Sequence, residues 1–178
     1  SVLGGVSNIE ILKLDSAHTI TLEENITATT FNFRDDTNQV LNLNDGYTNA
    51  TTVDIIGDDT NADKIVNTAN VELNVIGNAE DFDGDVNTTI TGGTGTDTLT
   101  IRNFADGAEA EIAANITGID KIVYVDVTAG ADTTLTIGAY TLSATYALAL
   151  TIDASELDGG IGAAAEVFTL AGAGSVTR

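Results

Sequence analysis

Short alternating segments recur at a near-constant distance along this chain, and that recurrence restricts its possible folds more than any single motif does. "IEILKL" (9–14), "TFNFR" (30–34), "TVDII" (52–56) and "VELNVI" (71–76) begin about twenty residues apart. Between them lie "HTITL" (18–22), "VLNLN" (40–44) and "DKIV" (63–66), at a similar spacing. Apolar residues at every second position mark half-buried strands, because successive side chains of an extended chain point to opposite faces. Evenly spaced short strands suit a sandwich, a barrel or a solenoid. A shared period holding two or three strands favours a solenoid, in which each coil lays its strand on the equivalent strand of the previous coil. The expected fold is all-β: a parallel β-solenoid of the β-helix or β-roll kind, with short strands and Gly/Asp turns. The alternative is an antiparallel β-sandwich of immunoglobulin type.

The second half repeats the pattern less regularly. Strands are expected at "TLTI" (98–101), "DKIVYVDV" (120–127), "TTLTI" (133–137), "LALTID" (148–153) and "VFTL" (167–170). "FADGAEAEIAANITG" (104–118) is open to two readings, since Ala and Glu favour helix while "AEAEI" alternates. A longer echo links "GVSNIEILKL" (5–14) with "NITGIDKIVYV" (115–125). With no proline and no flexible linker, residues 1–178 are expected to form one continuous β-rich structural domain.

Composition narrows the function. Hydrophobic residues make up 43% of the chain, but there are only five Phe, four Tyr and no Trp, so the core is expected to be built of small aliphatic side chains. Six basic residues face 27 acids, a net charge of −21, which repels a phosphate backbone and argues against nucleic acid as a partner. Two carboxylates about 6 Å apart repel by roughly 2–3 kcal/mol at an effective dielectric near 20, so the acids require either solvent or cations. Without Cys there is no disulfide, zinc thiolate or thiol nucleophile. Bound calcium and repetitive stacking are then the expected sources of stability. No stretch approaches the ~20 apolar residues of a membrane span. The chain holds no Met and ends on "GSVTR"; it is expected to be a fragment of a longer secreted protein.

One stretch fits a metal-binding pattern. Gly92-Gly93-Thr94-Gly95-Thr96-Asp97-Thr98-Leu99-Thr100 matches the nonapeptide G-G-x-G-x-D-x-U-x at every specified position. Glycines allow the positive φ of a tight turn and let carbonyls point inward, and Asp97 adds a hard oxygen suited to calcium. In tandem arrays an ion is held between successive turns, so one copy supplies about half a site. Asp81-Phe82-Asp83-Gly84-Asp85 is the second candidate. Its glycine and its twelfth residue, Gly92, break the EF-hand pattern, but three carboxylates in five residues repel without a counterion. The candidate calcium ligands are therefore Asp81, Asp83, Asp85, Gly92, Gly93, Gly95 and Asp97, with the acidic loop supplying oxygens that the Asp97 turn lacks. Asp35-Asp36, the run 57–65 and Asp153 read as solvated turns.

Catalysis finds little footing, and the chain is read as not an enzyme. His18 is the single histidine and lies in a strand. No serine sits in a G-x-S-x-G elbow, and six basic residues are too few for a polysaccharide lyase or hydrolase groove. The four N-x-T triplets, at Asn25, Asn49, Asn87 and Asn115, are expected by chance in so Asn- and Thr-rich a chain.

"TITGGTGTDTLTI", "NITGIDKIVYVDV" and "LTIDASELDGG", in that order, resemble bacterial surface-layer proteins and large adhesins with RTX-type repeats. "VSNIEILKLDS" resembles their second element. The resemblance covers about two thirds of the chain in short pieces, and the tandem array of such proteins is absent. It implies a secreted, type I-exported protein at the extracellular cell surface. Such a protein assembles with copies of itself into a lattice or filament in calcium, with cell-surface polysaccharide as a further partner. Carried over by position, Gly92, Gly93, Gly95 and Asp97 form the calcium turn. The alternative is an adhesin segment that binds a glycan or host protein, which an exposed aromatic cluster around Tyr140 and Tyr146 would favour.

Overall fold

The structure is a computed structural model. It describes residues 9–24, 26–34, 37–56, 62–69, 71–82, 88–102, 109–112, 115–125, 133–137, 151–156 and 168–172. In chain order its strands are β1 (Ile11–Leu14), β2 (Thr19–Leu22), β3 (Thr30–Phe33), β4 (Val40–Leu43) and β5 (Thr51–Ile55). Then come β6 (Lys64–Asn67), β7 (Leu73–Asn78), β8 (Thr89–Thr91), β9 (Thr98–Arg102) and β10 (Glu109–Ile112). The last are β11 (Ile116–Thr117), β12 (Lys121–Val125), β13 (Thr133–Ile137), β14 (Thr151–Glu156) and β15 (Phe168–Gly172). A 3-10 turn, Ala79–Phe82, follows β7.

Every strand pairing is parallel, and the chain is a β-solenoid. One sheet has seven strands in the order β1-β3-β5-β7-β9-β12-β14, and a second has five in the order β11-β8-β6-β4-β2. A third, β10-β13-β15, enters from the fifth coil onward. The sandwich alternative is excluded, because it needs antiparallel hairpins. "AEAEI" resolves as strand, with Glu109 opposite Thr134 and Ile112 opposite Ile137. Its alternation outweighs helix propensity because β13 offers it a ladder. β8 and β11 were not foreseen as separate strands; both are too short for a periodic signal.

Alternation becomes a pair of buried ladders. On the seven-stranded sheet Leu12, Phe31, Val53, Val75, Leu99 and Ile122 lie one above another. On the facing sheet the ladder is Ile20, Leu41, Ile65, Ile90 and Ile116. Apart from Leu12, these residues are buried and belong to one hydrophobic core. Outward positions carry Thr30, Thr52, Asn74 and Thr98 in another continuous row. The echo between residues 5–14 and 115–125 is explained where both are described: Ile11 and Lys121 occupy the same row of the same sheet, five strands apart.

The core is not wholly aliphatic. Phe31, Phe33 and Phe82 are among its largest fully buried side chains. Phe82 fills a gap that the sequence alone conceals. Gly77 has no side chain at a position beside Ile101, and a Cβ there would lie 2.7 Å from the Phe82 ring. The ring from the following turn occupies the space that a side chain at position 77 would take.

Candidate metal centre

The 92–97 turn joins β8 to β9, and its glycines are explained by how closely the coils approach. A Cβ on Gly93 would sit 2.6 Å from the Ala69 carbonyl oxygen, and one on Gly92 would be 2.6 Å from Asp97 Oδ2. A Cβ on Gly95 would run into the Val71 carbonyl, and one on Gly92 into that of Gly118. Positive φ is not the reason: among the described glycines it occurs at Gly46 (98°) and Gly118 (72°).

Asp97 has no exposed surface. Its Oδ1 accepts the Leu73 N–H at 3.0 Å and the Asn67 side-chain amide at 3.3 Å, and its Oδ2 accepts the Gly93 N–H at 2.7 Å. Leu73 begins β7, the strand one coil earlier. The Asp97 N–H in turn donates to Asp120 Oδ2 at 2.9 Å, and Asp120 stands immediately before β12. The other corner repeats the device, where the Gln39 N–H donates to Asp63 Oδ1 at 2.9 Å. In each case an acid directly before a strand accepts the N–H of the corresponding residue one coil back. These N–H groups lie at the strand entrance, where an unsatisfied buried donor would cost about 1–3 kcal/mol.

The pattern acid–x–apolar thus has a geometric meaning here. The acid caps the previous coil, the next residue faces outward, and the third enters the core. Asp97-Thr98-Leu99, Asp120-Lys121-Ile122 and Asp63-Lys64-Ile65 all obey it, with Leu99, Ile122 and Ile65 buried. Burial pushes the Asp97 carboxyl up to about 7; the Asp120 charge adds to that rise, while the Gly93, Leu73 and Asn67 hydrogen bonds pull against it.

A cation and an N–H donor seek the same carboxylate lone pairs, and three N–H donors leave Asp97 about one acceptor position, on Oδ2, to offer a calcium ion. Asp81 is also buried, and its Oδ2 accepts the Asn78 N–H at 2.6 Å. It closes the 3-10 turn as the acid of a capping box does, and so seats Phe82. Asp97 bonds the first residue of β7 and Asp81 the last, five residues and about 16 Å apart along a strand. One ion with ligands at about 2.3–2.6 Å cannot bridge them. The structure therefore gathers Gly92, Gly93, Gly95 and Asp97 and leaves Asp81 at the opposite corner. Asp83 and Asp85 lie outside the described residues, as do Asp35, Asp36, Asp58 and Asp59. Asp153 falls within β14 rather than at its end. Among the described residues no three His, Asp or Glu side chains converge in a way that could hold a metal.

Other features are open and shallow. Glu23, Glu24, Asn44, Asp45 and Thr68 line a depression of about 530 Å³. A trough of about 410 Å³ follows the outward row Thr30, Thr52, Asn74 and Thr98. His18 is exposed, with its Nε2 2.8 Å from Ser16 Oγ. Tyr140 and Tyr146 lie outside the described residues.

Sequence reasoning missed Asp120, Asn67 and the capping role of Asp63. It also missed a tie between coils at Tyr47, whose hydroxyl donates to the Ala28 carbonyl at 2.6 Å and accepts from Thr51 Oγ1 at 3.0 Å. For the acids the available signal was their position directly before an alternating run; for Tyr47 there was none. Compared with family models, with curated proteins and with solved structures, the chain matches nothing.

Proposed function

We propose that this chain is a structural segment of a bacterial surface-layer protein, secreted and self-assembling at the cell surface. The observation that carries the reading is the continuous parallel sheet of seven strands, a stiff body whose outward row is Thr and Asn from β3 to β9. Its strand ladders, not a pocket, are its main construction. The charge of −21 supports a role for calcium, which would neutralise surface acids within and between copies. Asp83 and Asp85, with Asp81 before them, are the acids for that role in the 81–85 loop. At the 92–97 turn carbonyl oxygens would be the main ligands, since N–H donors engage most of the Asp97 carboxylate. The Thr and Asn outer row favours this over a glycan-binding adhesin, which would present aromatic platforms.

Electron microscopy of the purified chain with and without calcium tests the proposal. Ordered arrays or filaments that form in calcium and disperse in chelator are expected. A monodisperse monomer under both conditions, at concentrations up to the solubility limit, would refute it.

A further inference from the structure

The corner between β4 and β5 bends at Asn44-Asp45-Gly46-Tyr47. The Tyr47 N–H donates to the Asn44 carbonyl at 3.1 Å, which closes a four-residue turn with Asp45 and Gly46 at its centre. The turn demands glycine on two grounds. The Gly46 φ of 98° lies in the left-handed region, and a Cβ there would stand 2.8 Å from Glu24 Cγ. The same demand leaves the Gly46 nitrogen with no side chain beside it as a screen. The hydrogen bond that closes the turn uses the Tyr47 N–H and not that of Gly46.

Asp45 and Gly46 are both exposed. Asp45 lines the depression of about 530 Å³ described above, so water has access to its carboxyl. A side-chain carboxyl thus stands next to an unscreened backbone nitrogen, in contact with solvent. Three other Asp-Gly pairs begin at Asp83, Asp106 and Asp158, all outside the described residues.

We infer that Asp45-Gly46 is a site of spontaneous modification, where aspartate isomerises to isoaspartate and loosens the tie between neighbouring coils. The Gly46 nitrogen attacks Asp45 Cγ. A C–N bond forms, and the carboxyl OH and the amide proton leave as water. The product is a five-membered cyclic imide. Water then adds back at one of its two carbonyls. Opening at Cγ restores aspartate. Opening at the main-chain carbonyl leaves Gly46 joined through Cγ, with a free α-carboxylate. Mass is unchanged, water is the sole co-reactant, and the main chain gains one methylene.

That methylene enters directly before a structural residue. Tyr47 is buried, and its hydroxyl donates to the Ala28 carbonyl at 2.6 Å and accepts from Thr51 Oγ1 at 3.0 Å. A longer turn no longer delivers the ring to that place. The inference stands apart from surface assembly and does not depend on it.

Ageing of the 178-residue chain for several weeks at neutral pH, native and in urea, tests it. Peptide mapping with fragmentation that separates isoaspartate from aspartate gives the rate at each site. Isoaspartate is expected at Asp45 in the native chain, within about tenfold of its rate in urea, because the turn restricts the backbone of few residues. Asp45→Asn reaches the same imide with loss of ammonia and is expected to convert faster. Asp45→Glu must close a six-membered ring and is expected to stay intact. After equal ageing the wild type is expected to melt below Asp45→Glu; the three other pairs age alike in both, so the difference reports position 45. Intact aspartate at 45 in the native chain, beside conversion in urea, would show that the turn protects the bond and would overturn the inference. Isoaspartate at 45 with no change in melting would overturn the loosening of the coils.

Discussion

Asp97 is held between two opposed demands. Three N–H donors need its carboxylate, yet complete burial resists the charge, and its pKa rises from 3.8 to about 7. The folded state therefore holds the Asp97 proton more tightly than the unfolded chain does. The resulting stabilisation is fully present below about pH 4, falls as pH rises, and is lost above about 7. In EDTA, the melting temperature of the wild type is expected to fall between pH 5 and 8 more steeply than that of Asp97→Asn. Acids remote from it contribute equally to both profiles, so the difference isolates Asp97 and its coupling to Asp120; parallel profiles would contradict the argument. Asp97→Ala, which abandons all three donors, is expected to cost about 3 kcal/mol or more in chemical denaturation. Gly95→Ala tests the close approach to Val71. Its added methyl must push two coils apart, at about 1–3 kcal/mol, and an unchanged melting temperature would show that the turn has room.

A strand in this molecule divides its residues cleanly by face. Leu41 is fully buried and sits between Ile20 and Ile65, so Leu41→Ala is expected to lose about 2–5 kcal/mol in urea unfolding. Thr52, in the outward row between Thr30 and Asn74, is expected to tolerate Ala within about 0.5 kcal/mol. Similar losses at both positions would mean that the register is wrong. The element scale also shows where sequence was legible. Alternation in "TFNF" and "VLNL" reports both strand and face, because one face meets a core and the other meets water. It is silent at β8 and β11, which are too short to alternate. Phe82 was invisible for another reason: its place in the core exists because Gly77 leaves a gap, a relation between two elements. The Arg102–Asp54 pair, 2.6 Å apart, spans from β9 to β5 past the intervening β7. Both side chains are partly exposed, and such pairs contribute at most about 1 kcal/mol.

Stacked coils touch only their neighbours, so stability is close to a sum of coil and interface terms. Hydrogen exchange is expected to be slowest in β4, β5, β6 and β7, which are paired on both sides, and faster in β1 and β2 at the end of the stack. Uniform protection would indicate a single cooperative unit or an end covered by another chain. Calcium is expected to raise the melting temperature, and magnesium to raise it less, because calcium accepts irregular oxygen sets that magnesium's strict octahedron excludes. The Asp83→Asn/Asp85→Asn variant is expected to lose most of that response while Asp97→Asn retains it. A melting curve indifferent to calcium and chelator would remove calcium from the proposal.

Two periods in the sequence determined much of this protein by themselves. The two-residue alternation settled which side chains face inward, and the longer repeat settled that similar segments recur in register. Both act through local geometry, so both can be read without knowing what lies alongside. Only the tertiary structure decided the direction of pairing, since alternation looks the same in parallel and antiparallel sheets. It also decided the role of Asp97. Whether a carboxylate meets a cation or an N–H depends on the coil above and the coil below, and those partners lie at variable distances in the chain, from nineteen residues between Ile11 and Thr30 to thirty-five between Thr133 and Phe168.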